Sequence, residues 1–529
     1  MNYKKIFSSN LFIFILFLII FYAIFRYSES FNKGYNIVED HAYITTDLAL
    51  DTTSFSSVYE DQLKTEFKGH RRFRPIWLLY FLTSVQIFGY NLLLLNIFIA
   101  FLGIFTAFFL YKFCKNIGFN QIQSFLFALL PLISPATIMY SRPPDSEIFG
   151  MFMLSLSLLF LSKSIFSEKK QILYKFLFLF TLIITSLSKE SFLILTPAVL
   201  FLYLWLYHLK NNTGIIQTFK RNYGLLFLTT VLIIAIVILL LNSVGISQKD
   251  SYSGVNVKLF STKTIFDFIT AIFSAKMFWL ALLGIFIFFE TELHNYKLKS
   301  DYVKRHLTTL LILLSLMLLI IIPQFIIYYK SGFNAGRYYV PYLLGYSFLI
   351  IYFLKFIFDS NSISSFTKYI YLLTVIAYLF IEVFTVSIPA ISTFSKNCKE
   401  NTQVVNFLSN YPDKNLLIVF DPAQQVYVIR SLKIHLDYLN VKKNYKYEFI
   451  KYDKLNVFFV DSALYNKSVN TALRLFGNNL VDSKKENTDI SVILIYQGLK
   501  DSFIEKNKHW FKESNYKKEQ TIFYTIYYK

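Results

Sequence analysis

Residues 310–329 read LLILLSLMLLIIIPQFIIYY, an apolar run with no charged residue. A helix needs ~20 such residues to cross the hydrocarbon layer of a membrane. A second run of this kind, LFIFILFLIIFYAIF, occupies residues 11–25. Hydrophobic residues make up 55% of the 529-residue chain and charged residues only 16%, whereas soluble domains carry about 25% charged residues. The sequence therefore predicts an all-α polytopic membrane protein and argues against a soluble globule.

Apolar runs of similar length recur through most of the chain and predict about eleven membrane-spanning helices. The segment 75–89 (PIWLLYFLTSVQIFG) is too short to span and predicts a re-entrant or interfacial helix. The first run follows two lysines and has no small-residue cleavage site after it, which predicts an uncleaved signal anchor. The predicted spans are 10–27, 90–111, 121–140, 146–166, 171–187, 190–208, 223–242, 276–290, 307–328, 339–358 and 368–389.

Basic residues in short loops predict a cytoplasmic N-terminus. The loop 28–74 is the exception, because it is rich in lysine and arginine although it faces outward on this topology. The formal charge of +20 fits basic flanks against anionic lipids, so the lipid bilayer is the predicted partner of these charges and nucleic acid is not. Two cysteines and the lack of a retention signal favour a bacterial inner (plasma) membrane.

The composition changes after Ser392, where Lys, Asn and Asp become frequent. Short β-type runs follow at 416–420 (LLIVF), 456–460 (NVFFV), 491–496 (SVILIY) and 521–528 (TIFYTIYY), separated by polar stretches of helical length. This spacing predicts a small α/β or α+β domain. We therefore expect a transmembrane domain at 1–392, with its first outer loop at 28–74, and an extracytoplasmic domain at 393–529.

The first outer loop carries the residues best suited to chemistry. Within GYNIVEDHAYITTDLALD (34–51), Glu39 and Asp40 are adjacent carboxylates followed at once by His41. Such a pair suits a general base, a metal ligand or recognition of hydroxyl groups, and equally an ordinary solvated acidic pair. GHRRFRPIWLLYF (69–81) carries an arginine cluster that suits either phosphate or lipid headgroups.

An acidic pair followed by an Arg-Pro element in the first outer loop resembles the GT-C superfamily. These are integral membrane glycosyltransferases that use polyprenyl-phosphate sugars, among them protein O-mannosyltransferases and aminoarabinose transferases. The resemblance continues at 119–161, at 182–202 and in the Gly-Arg-Tyr-x-x-Pro element at 336–341. It covers roughly residues 5–390 and implies transfer of a sugar from a polyprenyl-phosphate donor to an extracytoplasmic lipid, glycan or protein.

The resemblance also implies roles for individual residues. Asp40 is the expected general base, with Glu39 as the alternative. Metal dependence stays open, with a divalent cation such as Mg or Mn as the candidate cofactor at these carboxylates. The expected ligands of the donor phosphate are Arg337, Lys189, Arg74 and Arg142, and further expected site residues are Asp145, His41 and Tyr338.

Three other functions are compatible with a polytopic chain. A transporter or lipid flippase places ionisable residues near the bilayer midplane, often in inverted repeats, whereas here the helix interiors are almost free of charge and no repeat is visible. A polymerase or ligase of surface polysaccharide would also carry large outer loops. A scaffold that only presents the C-terminal domain would leave the charges at the outer face unexplained.

Overall fold

The computed structural model forms two compact units. The first contains Met1–Phe31 and Thr53–Ser392, and the second contains Asn32–Thr52 and Thr393–Lys529. The residues described are 10–36, 40–70, 72–143, 145–244, 262–296, 300–328, 340–410, 416–420, 431–432, 434–436, 438, 456–459, 492–496, 499–521 and 524–529.

Helices dominate the chain, as its composition predicts. In chain order they are α1 Asn10–Tyr27, α2 His41–Thr52, α3 Phe55–Lys64, α4 Pro75–Phe88, α5 Leu92–Asn116, α6 Gln121–Leu129, α7 Ser146–Phe166, α8 Gln171–Ser188, α9 Glu190–Leu193, α10 Thr196–Asn211, α11 Ile215–Arg221, α12 Tyr223–Val244, α13 Thr262–Ser274, α14 Lys276–Tyr296, α15 Ser300–Tyr328, α16 Val340–Asp359, α17 Ser365–Glu382, α18 Ile388–Ser409 and α19 Lys500–Asn507. The strands are β1 Leu416–Phe420, β2 Asn456–Phe459, β3 Val492–Tyr496, β4 Lys517–Gln520 and β5 Tyr524–Tyr528.

Within the described residues, eight helical segments are long and apolar enough to cross a membrane. A ninth arises if α13 and α14, which meet at a bend of 75°, count as one broken span. Large apolar side chains stand exposed on these helices, for example Ile172 at 85% and Phe176 at 63% on α8, as expected of surfaces that face lipid. The chain is therefore an integral, multi-pass membrane protein.

The predicted span at 121–140 is not one continuous helix. Helix α6 ends at Leu129, and a short 3₁₀ helix follows at Pro135–Ser141. Pro131 and Pro135 offer no backbone N–H and disfavour continuation of a helix. Ser134 caps the new helix instead, since its hydroxyl accepts the Ala136 N–H at 3.1 Å. The predicted short helix near 75–89, by contrast, is confirmed as α4.

Close helix contacts build the first unit around α7, α8, α15 and α16. Gly150 of α7 lies so near the ring of Phe192 that an added Cβ would stand 2.3 Å from it. Gly284 of α14 approaches Phe353 of α16 in the same way, at 2.5 Å. Small residues at such contacts let neighbouring helices approach closely in a membrane.

The second unit contains a five-stranded sheet in the order β2-β1-β3-β5-β4. Strand β1 pairs in parallel with β2 and β3, while β5 pairs antiparallel with β3 and β4. One face buries a small core that includes Leu417, Ile493 and Tyr527. The four predicted apolar strands are confirmed, and so is the mixed α and β character of this region. Strand β4 was not predicted, because its four residues are polar and exposed.

Residues 32–52, part of the long loop after α1, lie in the second unit. The N–H of Tyr35 donates to the Thr402 hydroxyl of α18 at 2.7 Å, and the Tyr438 hydroxyl donates to Asp47 of α2 at 3.0 Å. Gly34 has a φ of +78° and lies against Thr402, where an added Cβ would be 2.0 Å from its hydroxyl oxygen. Helix α2, which follows Asp40, is thus held by the C-terminal part of the chain.

Candidate functional site

A buried acidic pair opens α7 in the first unit. Asp145 precedes the helix and Glu147 lies in its first turn, and each is 3% exposed. The unpaired N–H groups of a helix N-terminus carry partial positive charge, which stabilises carboxylates there. The Ser146 hydroxyl also donates to Glu147 Oε2 at 3.3 Å. The sequence predicted Asp145 but missed Glu147.

Lys189 forms an ion pair with Glu147 in the protein interior. It lies between α8 and α9 with extended backbone dihedrals (φ −165°, ψ 148°), and its side chain is only 4% exposed. Burying a charge costs several kcal/mol unless it is paired. The pair therefore holds the link between α8 and α9 against the start of α7.

Arg74 pairs with a second carboxylate of this link. Glu190 accepts a hydrogen bond from Arg74 Nε at 3.2 Å through one oxygen and from the N–H of Phe73 at 2.7 Å through the other. Pro75 begins α4 directly afterwards, where its missing N–H has no cost. The Arg-Pro element singled out in the sequence is thus fixed to the residue that follows Lys189.

Arg142 completes the arrangement, with its Nε 3.8 Å from Asp145 Oδ2. The three ion pairs are connected, because Lys189 and Glu190 are consecutive and Asp145 and Glu147 share a helical turn. Arg142 is the most accessible cation, at 23% exposure against 12% for Arg74 and 4% for Lys189. We call the six residues the polar cluster: Arg74, Arg142, Asp145, Glu147, Lys189 and Glu190. Its formal charges balance.

The first unit also contains a small apolar cavity of about 20 Å³. On α7 it begins two turns beyond Glu147, and it reaches the start of α10 four residues beyond Ser191. A volume of about 20 Å³ is far below the roughly 300–1,000 Å³ of small-molecule sites. The lining of the cavity consists of Leu154, Leu158, Leu195, Ala198, Val199, Leu202, Leu316, Ile320, Pro341, Leu344 and Phe348. The polar cluster lies at the start of α7, and the cavity is lined by the middle of the same helix.

Gln324 of α15 joins this helix to the segment that follows Lys189. Its Nε2 donates to the Ser191 carbonyl at 2.6 Å, and Ile320, one helical turn earlier, lines the cavity. The side chain is fully buried. Nothing in the sequence singled it out, since it follows Pro323 within an apolar run.

Asp40 lies in the second unit, where backbone groups hold it in place. It is 1% exposed, its Oδ2 accepts the Asn36 N–H at 2.8 Å, and its carbonyl accepts the Tyr43 N–H at 3.0 Å. His41 follows as the first residue of α2. The Asp40 carboxylate is therefore part of the hydrogen-bonded turn that begins α2.

Three predicted site residues, Glu39, Arg337 and Tyr338, lie outside the described residues. Arg74, Arg142, Asp145 and Lys189 are brought together through Glu147 and Glu190, which the sequence analysis did not select. In the part of the chain that the structure describes, no group of three or more His, Cys, Asp or Glu side chains is placed to hold a metal ion. The Mg or Mn site stays a prediction.

The sequence contains an indication of the two carboxylates that were not predicted, Glu147 and Glu190. Glu147 and Glu190 each lie within two residues of a selected charge, at the start of a helix that follows a turn. A charged residue at the end of an apolar helix needs an opposite charge close by. The positions of Lys189 and Arg74 therefore indicate that acidic partners lie close to each of them.

These features define a multi-pass membrane protein whose first unit contains a charge-balanced polar cluster and a small apolar cavity. No protein-family model and no curated protein matches the chain. Among solved structures, the chain is similar to ArnT from Cupriavidus metallidurans bound to undecaprenyl phosphate, with 11% identity, a TM-score of 0.45 and 97% of each chain covered. It is also similar to the apo state of the same protein, with 10% identity, a TM-score of 0.43 and the same coverage.

Proposed function

We propose that this chain is a membrane glycosyltransferase that moves a sugar from a polyprenyl-phosphate donor to an extracytoplasmic acceptor. The observation that carries the proposal is that one unit contains both the polar cluster and the apolar cavity. A polyprenyl-phosphate sugar has the same division, with a charged, hydroxyl-rich head and a hydrocarbon tail. The cavity is far smaller than such a tail, so we place the first isoprene units against its apolar lining and the rest among lipids.

The polar cluster supports a phosphate-binding role for Arg142. Its guanidinium is the most accessible of the three cations, and guanidinium groups bind phosphate with two parallel hydrogen bonds. Lys189 and Arg74 are each buried against a carboxylate, so we assign them to holding the cluster in shape. Arg337 keeps the phosphate-binding role that the sequence motif implies.

The proposed reaction is a single displacement at the anomeric carbon. Asp40 takes the proton of the acceptor hydroxyl or amine, the acceptor heteroatom bonds to the anomeric carbon, and the bond from that carbon to the phosphate oxygen breaks. The leaving polyprenyl phosphate gains negative charge, which a fixed cation stabilises in a site that excludes water. No covalent intermediate is required.

The test is sugar transfer by purified, full-length protein in lipid nanodiscs. Donors are undecaprenyl phosphates carrying glucose, galactose, mannose or aminoarabinose, and a bacterial envelope extract supplies acceptors. Wild type is compared with Asp40→Asn and with Asp51→Asn, a matched change in α2 at an exposed position. We expect wild type and Asp51→Asn to consume one donor and Asp40→Asn to lose at least 100-fold in rate, in line with general-base catalysis of ~10²–10⁴.

The possible results of this test bear separately on the identity of the base and on the transferase activity. Turnover that survives Asp40→Asn retains the transferase and moves the base elsewhere, to Glu39 first. If wild type neither binds nor consumes any of the four donors, the glycosyltransferase proposal is wrong. Movement of the intact donor across the bilayer without bond cleavage would instead identify a flippase.

A further inference from the structure

Helix α13 ends at a sharp corner. It meets α14 at an angle of 75°, and the last turn of a helix leaves carbonyl groups without partners in that helix. Side chains supply partners here: the Tyr342 hydroxyl of α16 donates to the Ala271 carbonyl at 3.4 Å, and Trp279 Nε1 of α14 donates to the Phe273 carbonyl at 3.1 Å. A membrane tolerates a break between helices where the backbone groups are paired in this way.

One side of α13 packs against the rest of the first unit. Side chains three or four positions apart share a side of a helix, and this side carries Thr264, Phe268 and Ala271. Thr264 is 5% exposed and Ala271 is 7% exposed. The ring of Phe268 packs edge-on against that of Phe325, with 5.0 Å between the ring centroids. This side therefore fixes α13 to α15.

The adjoining side of α13 is apolar and exposed. We call its four residues the apolar face: Ile265 (52% exposed), Phe266 (68%), Ile269 (44%) and Phe273 (48%). Contact of apolar surface with water costs about 25 cal/mol for each Å². The apolar face therefore favours a partner other than water.

The third side of α13 is polar, and Lys263, Thr270 and Ser274 are exposed there. A helix inside the hydrocarbon layer would lose the hydration of these groups at a cost, whereas a helix in water would expose the apolar face. A helix that has both an apolar and a polar exposed side suits the surface of a membrane, where lipid and water meet.

The exposed surface of α14 continues the apolar face. Trp279 and Phe286 of this helix are 56% and 67% exposed. The corner itself carries Lys276, whose side chain is 57% exposed and pairs with the buried Glu382. Tryptophan and lysine are common at membrane surfaces, since each has an apolar body and a polar end that reaches water. The apolar face is thus continuous with a surface that already faces lipid.

We propose that α13 lies along one surface of the membrane and that lipid covers its apolar face. Phe266 and Phe273 then reach the boundary between the headgroups and the acyl chains, Lys263 and Thr270 face water, and α14 crosses the membrane without α13. The proposal concerns the outer surface of the first unit and does not depend on the proposed function.

The test is the depth of nitroxide labels in the membrane, measured by electron paramagnetic resonance. The labelled variants are Phe266→Cys and Phe273→Cys in the apolar face, Lys263→Cys and Thr270→Cys on the polar side, and Phe286→Cys in α14 as the reference for hydrocarbon. Full-length protein is placed in nanodiscs that hold one chain each, which excludes a second copy as the partner. Both native cysteines are buried, so protein without an introduced cysteine gives the background labelling.

Molecular oxygen concentrates in hydrocarbon and a nickel chelate in water, so the ratio of their collisions with a label gives its depth. We expect the labels at positions 266 and 273 to lie about 5–10 Å into the boundary between headgroups and acyl chains, and the label at position 286 to lie deeper. The labels at positions 263 and 270 should collide mainly with the nickel chelate. All five replaced side chains are exposed, so the variants are expected to fold.

Three results would overturn the inference. Labels at positions 266 and 273 that collide mainly with the nickel chelate would place the apolar face in water. Labels there that neither reagent reaches would mean that another part of the chain covers the face. Labels at all four positions of α13 as deep as the one at position 286 would make α13 part of a broken span.

Discussion

At the scale of single residues, the polar cluster shows how charge is kept inside a membrane protein. Each cation has its own carboxylate, so the pairs balance before any ligand arrives. Replacing a buried ion pair by apolar or neutral groups is often harmless to stability, whereas removing one partner leaves an unpaired charge. A variant that lacks both charges of the Lys189–Glu147 pair is therefore expected to fold better than one that lacks a single charge, so the two variants distinguish the effect of the pair on stability from its effect on function.

We predict that Lys189→Met lowers the thermal midpoint of the detergent-solubilised protein sharply, since Glu147 is left buried without a cation at a cost of ~3–5 kcal/mol. The double variant Glu147→Gln/Lys189→Met should recover most of the midpoint and transfer sugar faster than Lys189→Met, but more slowly than wild type, because the pair no longer holds the cluster in shape. Thermal unfolding and donor consumption on the four proteins of the cycle check this. A double variant as unstable as Lys189→Met would show that the two residues do not form the pair described.

His435 gives the second unit a dependence on pH. It is 1% exposed, its Nδ1–H donates to the Ser431 carbonyl at 2.7 Å, and its ring packs edge-on against Tyr35 at 5.3 Å. Burial, and the nearby His41, lower the pKa of His435 from 6.5 to about 4. The unfolded chain therefore binds this proton more readily than the folded one.

It follows that the second unit is fully stabilised above pH ~6.5 and loses stability as the pH falls toward ~4, by roughly 3 kcal/mol over that range. His435→Gln, which does not titrate, should flatten the dependence. The measurement is hydrogen exchange of peptides from α2 and 431–438, corrected for the chemical exchange rate at each pH. Equal acid sensitivity of wild type and His435→Gln would contradict the prediction.

At the scale of elements, apolar periodicity was enough to locate most helices but not their interruptions. The predicted spans at 10–27 and 146–166 match α1 and α7 to within a residue. The region 121–140 has the composition of a span, yet its two prolines and the Ser134 cap divide it. Helix α13 was missed because its 13 residues alternate apolar and polar faces instead of forming an apolar run.

Gly150 of α7 packs against the ring of Phe192 of α9, close to the polar cluster in the chain. Gly150→Ala places a Cβ where the Phe192 ring now lies, and Phe192 is three residues beyond Lys189. We predict a loss of ~1–3 kcal/mol in stability, as for other overpacked cores, together with reduced transfer. Gly224→Ala is the matched control, because nothing lies within 4 Å of its added Cβ. Equal effects of the two changes on transfer would show that this contact does not position Lys189.

At the scale of the whole molecule, the sequence predicted the class of fold more completely than the site. Membrane-spanning helices and a separate mixed α and β region follow from composition and apolar runs alone. The site does not, since ion pairs such as Arg74–Glu190 join residues 116 positions apart and no local pattern records which partners meet. No pattern in the sequence indicated that residues 32–52 belong to the same unit as the C-terminal part of the chain.

We propose that the polyprenyl tail of a lipid-phosphate donor packs against the lining of the apolar cavity. This placement is tested most directly by photocrosslinking with an undecaprenyl phosphate that carries a diazirine on an isoprene unit near the phosphate. Labelled peptides are then mapped by mass spectrometry. We predict labelling within 154–158, 195–202, 316–320 and 341–348, with competition by unlabelled undecaprenyl phosphate. Labelling confined to lipid-facing surfaces such as α12, without competition, would contradict the account.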